Sequence, residues 1–315
     1  MKKKLVFIVN PISGTQNKEK ILNLVSIKID REKFDIIIEK TRYAGHAPLL
    51  VKEYVTSGCD AIVAVGGDGT VNEIARALVH TPVALGIIPC GSGNGLARHL
   101  EIPMDPVGAI DVLNRFDIQC VDYGKINDLP FFCTCGVGFD AFISSKFAKS
   151  EKRGVLTYIE NALVQGLNYK PFLIACANAS QYGNNAYIAP HASMSDGLMD
   201  VTIMEPFTML EAPQIAIQLF NKTLNNNSRI KTFRCKHVHI HRENEGVIHF
   251  DGDPILAGTD IDVQLIDKGL NVVVNSQKSG MSKIGQRFTE MYEDFVKKSS
   301  RISRRNIRRI DSLNK

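Results

Sequence analysis

The stretch that most restricts how this chain can fold is Ala61 to Ala77, AIVAVGGDGTVNEIARA. An apolar, β-branched run ends in clustered glycines, and a helical pattern begins at once. Such a run, bounded by glycine, suits a central parallel strand buried on both faces. Gly66, Gly67 and Gly69 permit positive φ and put no Cβ between the backbone and an approaching group. Thr70 and Glu73 have capping-box spacing, which predicts a helix whose free N–H groups and positive dipole end face the turn. Strand, glycine turn and helix together are anion-binding geometry, and phosphate fits it. Asp68 is the exception, because a carboxylate beside a polyphosphate is repelled unless a cation lies between them. Its place predicts Mg²⁺; a simple turn cap is the plainer alternative.

The same grammar recurs on either side. Lys4 to Asn10 reads as a strand, Pro11 to Gly14 as a turn, and about Asn17 to Ile27 as a helix. Phe34 to Glu39 is a second strand, followed by Thr41 and a helix over about Gly45 to Ser57. Val83 to Ile88 is a fourth strand, and Pro89 to Asn94 turns into a helix over Gly95 to Leu100. There Ser92 offers a hydroxyl to phosphate and Asn94 suits the cap position. This alternation implies a parallel sheet covered on both faces, an α/β nucleotide-binding domain over 1–117.

From Ile118 the pattern changes to short strands: Phe131 to Gly136, Phe172 to Ala177, Met199 to Met204, Phe233 to His241, Gly246 to Phe250, Asp260 to Leu265 and Asn271 to Asn275. Helices are expected near Phe139 to Ser150 and Gly154 to Leu167. The reading is a second domain over 118–277, a mainly antiparallel β-sandwich, with an active-site cleft between the two domains. Residues 278–315 are a separate tail.

With Asn10-Pro11-Ile12-Ser13-Gly14 at the start, GGDGT in the middle, Gly91-Ser92-Gly93-Asn94 after the next strand and Asp251-Gly252-Asp253 downstream, the chain resembles the diacylglycerol kinase catalytic-domain family, which includes bacterial lipid kinases and sphingosine kinases. The likeness runs from about Lys4 to Asn275 with the motifs in the family's order. It implies ATP as phosphoryl donor, with Mg²⁺, and a lipid hydroxyl as acceptor. It places Asn10, Ser13 and Gly14 near the nucleotide phosphates, Thr41 against ATP, and the nucleotide on Gly66, Gly67, Asp68, Gly69, Thr70, Val71, Asn72, Glu73 and Ser92. GGDGT also occurs in NAD kinases, and GSGN resembles sphingosine kinases more than the GTAND of many bacterial diacylglycerol kinases. Diacylglycerol is therefore the first acceptor, a sphingoid base the second. NAD kinase, or a regulator that binds nucleotide or lipid without turnover, is the reading of another class.

Phosphoryl transfer to an alcohol needs a carboxylate to take the proton. Asp251-Gly252-Asp253 supplies two, where the family has DGE: Asp253 stands at the family's acidic position, and Asp251 is the alternative base. An Asp-Gly hairpin turn is the plain reading. Ser195 to Asp200, SDGLMD, resembles the family stretch that holds a structural Mg²⁺, which carried over gives Asp196 with the carbonyls of Ser193 and Leu198. His237, His239 and His241 alternate on one strand face, with no Cys or acid nearby that completes a convincing zinc set.

Composition limits the rest. Charged residues are 23% and apolar ones 44%, as in ordinary globular chains. Seven cysteines without a CxxC pair point to reduced thiols and a cytoplasmic setting. No apolar run is long enough to span a bilayer. The net charge of +5 lies in the tail, where Lys297, Lys298, Arg301, Arg304, Arg305, Arg308 and Arg309 follow Phe288, Met291, Tyr292 and Phe295 at helical spacing. The expected partners are a membrane lipid acceptor and an anionic membrane surface met by this tail, with peripheral membrane association. A second copy of the chain is one option, and nucleic acid is not expected, since the remainder has no basic excess.

Overall fold

In the computed structural model, residues 1–14, 16–138, 141, 173–208 and 210–276 are described, and residues 1–274 form one compact unit. Four strands, β1 (Lys3–Val9), β2 (Phe34–Lys40), β3 (Ala61–Gly66) and β4 (Ala84–Pro89), pair in parallel in the order β2-β1-β3-β4. Both β3 and β4 are buried throughout, as their unbroken apolar runs require. The helices are α1 (Lys18–Lys28), α2 (His46–Thr56), α3 (Asp68–Leu78), α4 (Gly95–His99) and α5 (Pro106–Arg115). Contacts join α1 to α5 and α2 to α3, the pairing that right-handed crossovers produce when the chain moves outward through β2 and then back across β1.

The sheet then changes character without breaking. From β5 (Ile118–Ile126) the order continues β4-β14-β5-β6, with β6 at Leu129–Phe131, β14 at Asp260–Val273 and β11 (His237–His241) pairing antiparallel to β14. A second sheet is antiparallel, in the order β10-β9-β8-β7-β12-β13. Its strands are β7 (Thr134–Gly138), β8 (Leu173–Ala177), β9 (Met199–Met204), β10 (Ile230–Cys235), β12 (Gly246–Phe250) and β13 (Asp253–Ala257). Between it and the antiparallel limb of the first sheet lies a core that includes Phe131, Val137, Met199, Ile248, Phe250 and Val263. The expected sandwich is present, and one of its two layers is the far limb of the nucleotide-side sheet.

Five local expectations need correction. The helix after GGDGT starts at Asp68, with Gly67 as an uncapped N-terminus, so Thr70 and Glu73 form no capping box; Thr70 Oγ1 instead accepts a hydrogen bond from Asn10 Nδ2 at 3.3 Å. Two runs are not single strands: 131–136 divides at 132–133 between β6 and β7, and 233–241 divides at Lys236 between β10 and β11, each pair belonging to different sheets. The two last strands are one, β14, kinked between Ile266 and Leu270, where Lys268 takes φ +51°. A helix α6 (Ala212–Phe220), not expected from the sequence, packs Ile215 on the outer face of the second sheet. The helices expected near 139–150 and 154–167 and the tail lie outside the described residues.

Candidate active site

Strand order 2-1-3-4 places the topological switch between β1 and β3, where the chain leaves the sheet in opposite directions and opens a crevice at the strand carboxyl ends. Asn10, Thr41, Gly66 and Cys90 stand at the ends of the four parallel strands. The loops are tied together by backbone: Thr41 N donates to Val9 O at 2.9 Å, Asn10 N to Val65 O at 3.3 Å, and Cys90 N to Gly66 O at 2.8 Å. Gly14 has φ +71°, and a Cβ there would collide with the Cys90 carbonyl. Ser13 Oγ donates to Asn10 O at 3.2 Å. The N-terminus of α1 is capped by Asn17, whose side chain accepts from Glu19 N and Lys20 N.

Asp68 joins the GGDGT turn to the GSGN turn. Its two carboxylate oxygens accept from Asn94 N at 2.8 Å and Gly95 N at 2.7 Å, so it caps α4 from outside that helix. Asn94, expected to be the cap, folds its own side chain back on Gly91, accepting from its N–H at 3.0 Å and donating to its carbonyl at 2.8 Å. The turns touch with no room for a side chain: a Cβ on Gly91 would lie 2.8 Å from the Gly67 Cα. Gly69 and Ser92 are exposed at this surface, whereas Thr70, Val71 and Asn72 point inward along α3 and Glu73 is half-buried.

Asp251 and Gly252 are the two-residue turn between β12 and β13, with φ of +52° and +87°; the Asp-Gly hairpin is real. The two acids nonetheless differ. Asp251 turns inward and accepts from Phe132 N at 2.8 Å, Cys133 N at 2.7 Å and Thr134 N at 3.1 Å. Burial pushes its carboxyl up to about 6, against the pull of those three amides and of the Arg76 charge. Asp253 points outward, its side chain 54% exposed, and pairs with Arg76 Nη2 at 3.1 Å. Between Asp251 and Asp68 lies Cys133, whose thiol is driven well above its ordinary value by burial and then by the charges of those two carboxylates. GGDGT, GSGN and the DGD hairpin, far apart in sequence, are therefore neighbours.

Asp196 is tied into a group of polar contacts around Arg234. Its Oδ2 is ion-paired to Arg234 at 3.3 Å, Oδ1 accepts from Leu198 N at 3.2 Å, and Arg234 also reaches Asp200 at 3.2 Å and His191 O at 2.7 Å. Arg234 is thus the positive partner of Asp196 at the place where the resemblance puts Mg²⁺ held with the Ser193 and Leu198 carbonyls. His237, His239 and His241 do share one face, and acids meet them across the strand pair: His237 meets Asp262 at 2.6 Å and His241 meets Asp260 at 3.0 Å. Among the described residues no group of three or more His, Cys, Asp or Glu could hold a metal ion.

Three residues escaped the sequence reading. Lys18, at the start of α1, is buried, donates to Gln16 O at 3.3 Å and sits beside the Cys90 thiol. Its only sequence signal is a lysine just after the PISG turn. Arg76 and Arg234 gave none, since their partners are remote in the chain.

Residues 4–126 match the family model described as the diacylglycerol kinase catalytic domain. Residues 138–274 match the YegS C-terminal NAD kinase beta sandwich-like domain. A diacylglycerol kinase of Mycobacterium tuberculosis is 26% identical over 275 residues, covering 79% of this chain and 88% of that protein. A protein named probable lipid kinase YegS-like, from Chromohalobacter salexigens, is 29% identical over 241 residues, 70% of this chain and 78% of its own length. Among solved structures, a diacylglycerol kinase from Bacillus anthracis superposes with a TM-score of 0.67 at 23% identity, over 87% of this chain and 97% of that one, which is a likeness of fold. No helix among the described residues is long and apolar enough to cross a membrane.

Proposed function

Because the chain belongs to the diacylglycerol kinase catalytic-domain family, a family of kinases, we propose that it transfers the γ-phosphate of ATP to the hydroxyl of a membrane lipid, with diacylglycerol as the first candidate. The observation that carries this is the convergence of the GGDGT and GSGN turns with the DGD hairpin around Cys133. The phosphate end of the nucleotide is assigned to the crevice between β1 and β3, against Asn10, Ser13, Gly14, Thr41, Gly66 to Gly69 and Ser92, with Lys18 as a buried cation beside it. Mg²⁺ arriving with ATP would spread the triphosphate charge. Asp68 is the residue that would hold it, since a nucleotide-borne Mg²⁺ keeps waters and takes only one or two carboxylates. Both Asp68 oxygens receive amides yet retain further lone pairs.

Of the two hairpin acids, Asp251 is the better base. It faces Cys133 and the Asp68 side, and a value near 6 lets it be ionised at neutral pH and still accept a proton. Asp253, already bound to Arg76 and facing outward, is the supporting acid. The proton from the lipid hydroxyl passes to Asp251 as the hydroxyl oxygen attacks the γ-phosphorus, and ADP leaves with the bridging oxygen. A panel of diacylglycerol, a sphingoid base, phosphatidylglycerol and NAD, each assayed with labelled ATP in the presence and absence of vesicles, tests the reading. Labelled phosphatidate is the expected product; transfer to NAD alone, or ATP binding with no transfer, overturns it.

A further inference from the structure

We propose that Arg76 is a positioning residue for phosphoryl transfer, which from the helix that begins at the GGDGT turn grips the DGD hairpin and holds a positive charge over the inner carboxylate. This rests on the kinase reading above. Arg76 lies eight residues after Asp68, about 12 Å along α3, too far from the turn to bind phosphate itself. Its guanidinium instead makes three contacts on the acceptor side. Nη2 bonds Asp253 Oδ2 at 3.1 Å, Nε bonds Pro130 O at 3.3 Å, and the group lies 4.7 Å from the Phe250 ring centroid.

Phe250 and Asp253 are register partners that close the Asp251-Gly252 turn. A planar fork that stacks on one and pairs with the other therefore fixes the turn between them, and the Pro130 bond anchors that fork to β6. Lysine has neither the plane nor the fork. An aspartate at 253 suits this contact, because its short side chain keeps the carboxylate close to the hairpin. The groups facing Asp251 are the amides of Phe132, Cys133 and Thr134, the neutral Cys133 thiol, and the Arg76 charge, with Asp253 on the outer side. Burial favours the protonated form of Asp251, and the Phe132 and Cys133 amides, the Arg76 charge and the Thr134 amide all oppose it. One side chain thus ties the nucleotide helix to the base, in position and in charge.

The test compares wild type with Arg76→Met and Arg76→Lys, measuring kcat and the KM for ATP with diacylglycerol vesicles. It also titrates the Asp251 carboxyl by ¹³C NMR, with the resonance identified by its loss in Asp251→Asn. Arg76→Met should lower kcat roughly 10- to 100-fold with ATP KM changed less than threefold, and should move the Asp251 titration and the acid limb of kcat upward together. Arg76→Lys should keep the titration near that of wild type and recover only part of kcat, since it restores charge without the fork. An Asp251 titration unmoved in folded Arg76→Met overturns the proposal, as does unchanged kcat. The titration needs no acceptor, so a wild-type chain inactive on every lipid would refute the lipid-kinase reading while the NMR arm still decides the contact between Arg76 and Asp251.

Discussion

Two aspartates separated by one glycine end up with opposite environments, and on the proposed reading the buried one, Asp251, is the proton acceptor. Asp251→Asn should lose kcat by roughly 10² to 10⁴ with nucleotide affinity nearly unchanged, whereas Asp253→Asn should lose far less, as a partner of Arg76. Because the base must be ionised, kcat/KM for the acceptor should fall as pH drops through about 6. Stability moves with a definite sign. Between the ordinary 3.8 and about 6 the folded chain keeps a proton that the unfolded chain has released, so Asp251 removes stability as pH rises through that window. Denaturant melts at pH 4 and pH 6.5 should show that slope in wild type and its loss in Asp251→Asn. On the nucleotide side, Gly14→Ala puts a Cβ into the Cys90 carbonyl at a positive φ, and calorimetry should show ATP binding weakened at least tenfold in a chain that still folds. Lys18→Met should raise ATP KM several-fold without lowering kcat, because the lysine lies among nucleotide loops and away from the hairpin.

At the level of elements, α3 and β14 do the joining. Helix α3 carries Asp68 at one end and Arg76 two turns on, so a single rigid rod spans the distance between the phosphate turn and the base. Strand β14 pairs with β11 and β5 in its first half and with β4 and β5 after its kink, placing Leu270, Val272 and Val273 fully inside the α/β core. Each of those side chains contributes about 1.5–3 kcal/mol of burial, a large share of the roughly 5–15 kcal/mol that holds a domain together. A chain ended after Asp267 should therefore fail to fold, and one ended after Ser276 should melt cooperatively; circular dichroism on the two truncations decides it. The kink itself is held by Asp122, which accepts from Lys268 N at 2.8 Å and Gly197 N at 2.9 Å.

For the molecule as a whole, the proposed reaction requires that a lipid hydroxyl reach Asp251. The basic tail, outside the described residues, is proposed as the element that brings the chain to an anionic surface, each Lys or Arg near such a surface gaining about 1 kcal/mol. Removing 297–315 should weaken sedimentation with anionic vesicles at low salt and lower turnover on them, yet spare turnover on a short-chain acceptor dissolved in water. Equal vesicle binding by both forms at low salt would leave the tail as a solvated extension.

The sequence alone determined the strand and helix alternation, the glycine turns and the family, because these depend on residues within about ten positions of each other: period, turn chemistry and helix starts are local physics. It also singled out Asp68, Asp251 and Asp253. Only the tertiary structure decided what each of them touches. Asp68 caps a helix that begins twenty-seven residues later, at Gly95, Asp251 is buried by amides more than a hundred residues earlier in the chain, and Asp253 meets an arginine from the nucleotide helix. The same reason hid the partner of Asp196, since the charge beside it comes from Arg234 on a neighbouring strand. It also divided two apparent strands between the two sheets and merged two others into β14. Long-range pairing sets the electrostatic surroundings of a carboxylate, and those surroundings, more than its motif, separate a base from a cap or a salt-bridge partner.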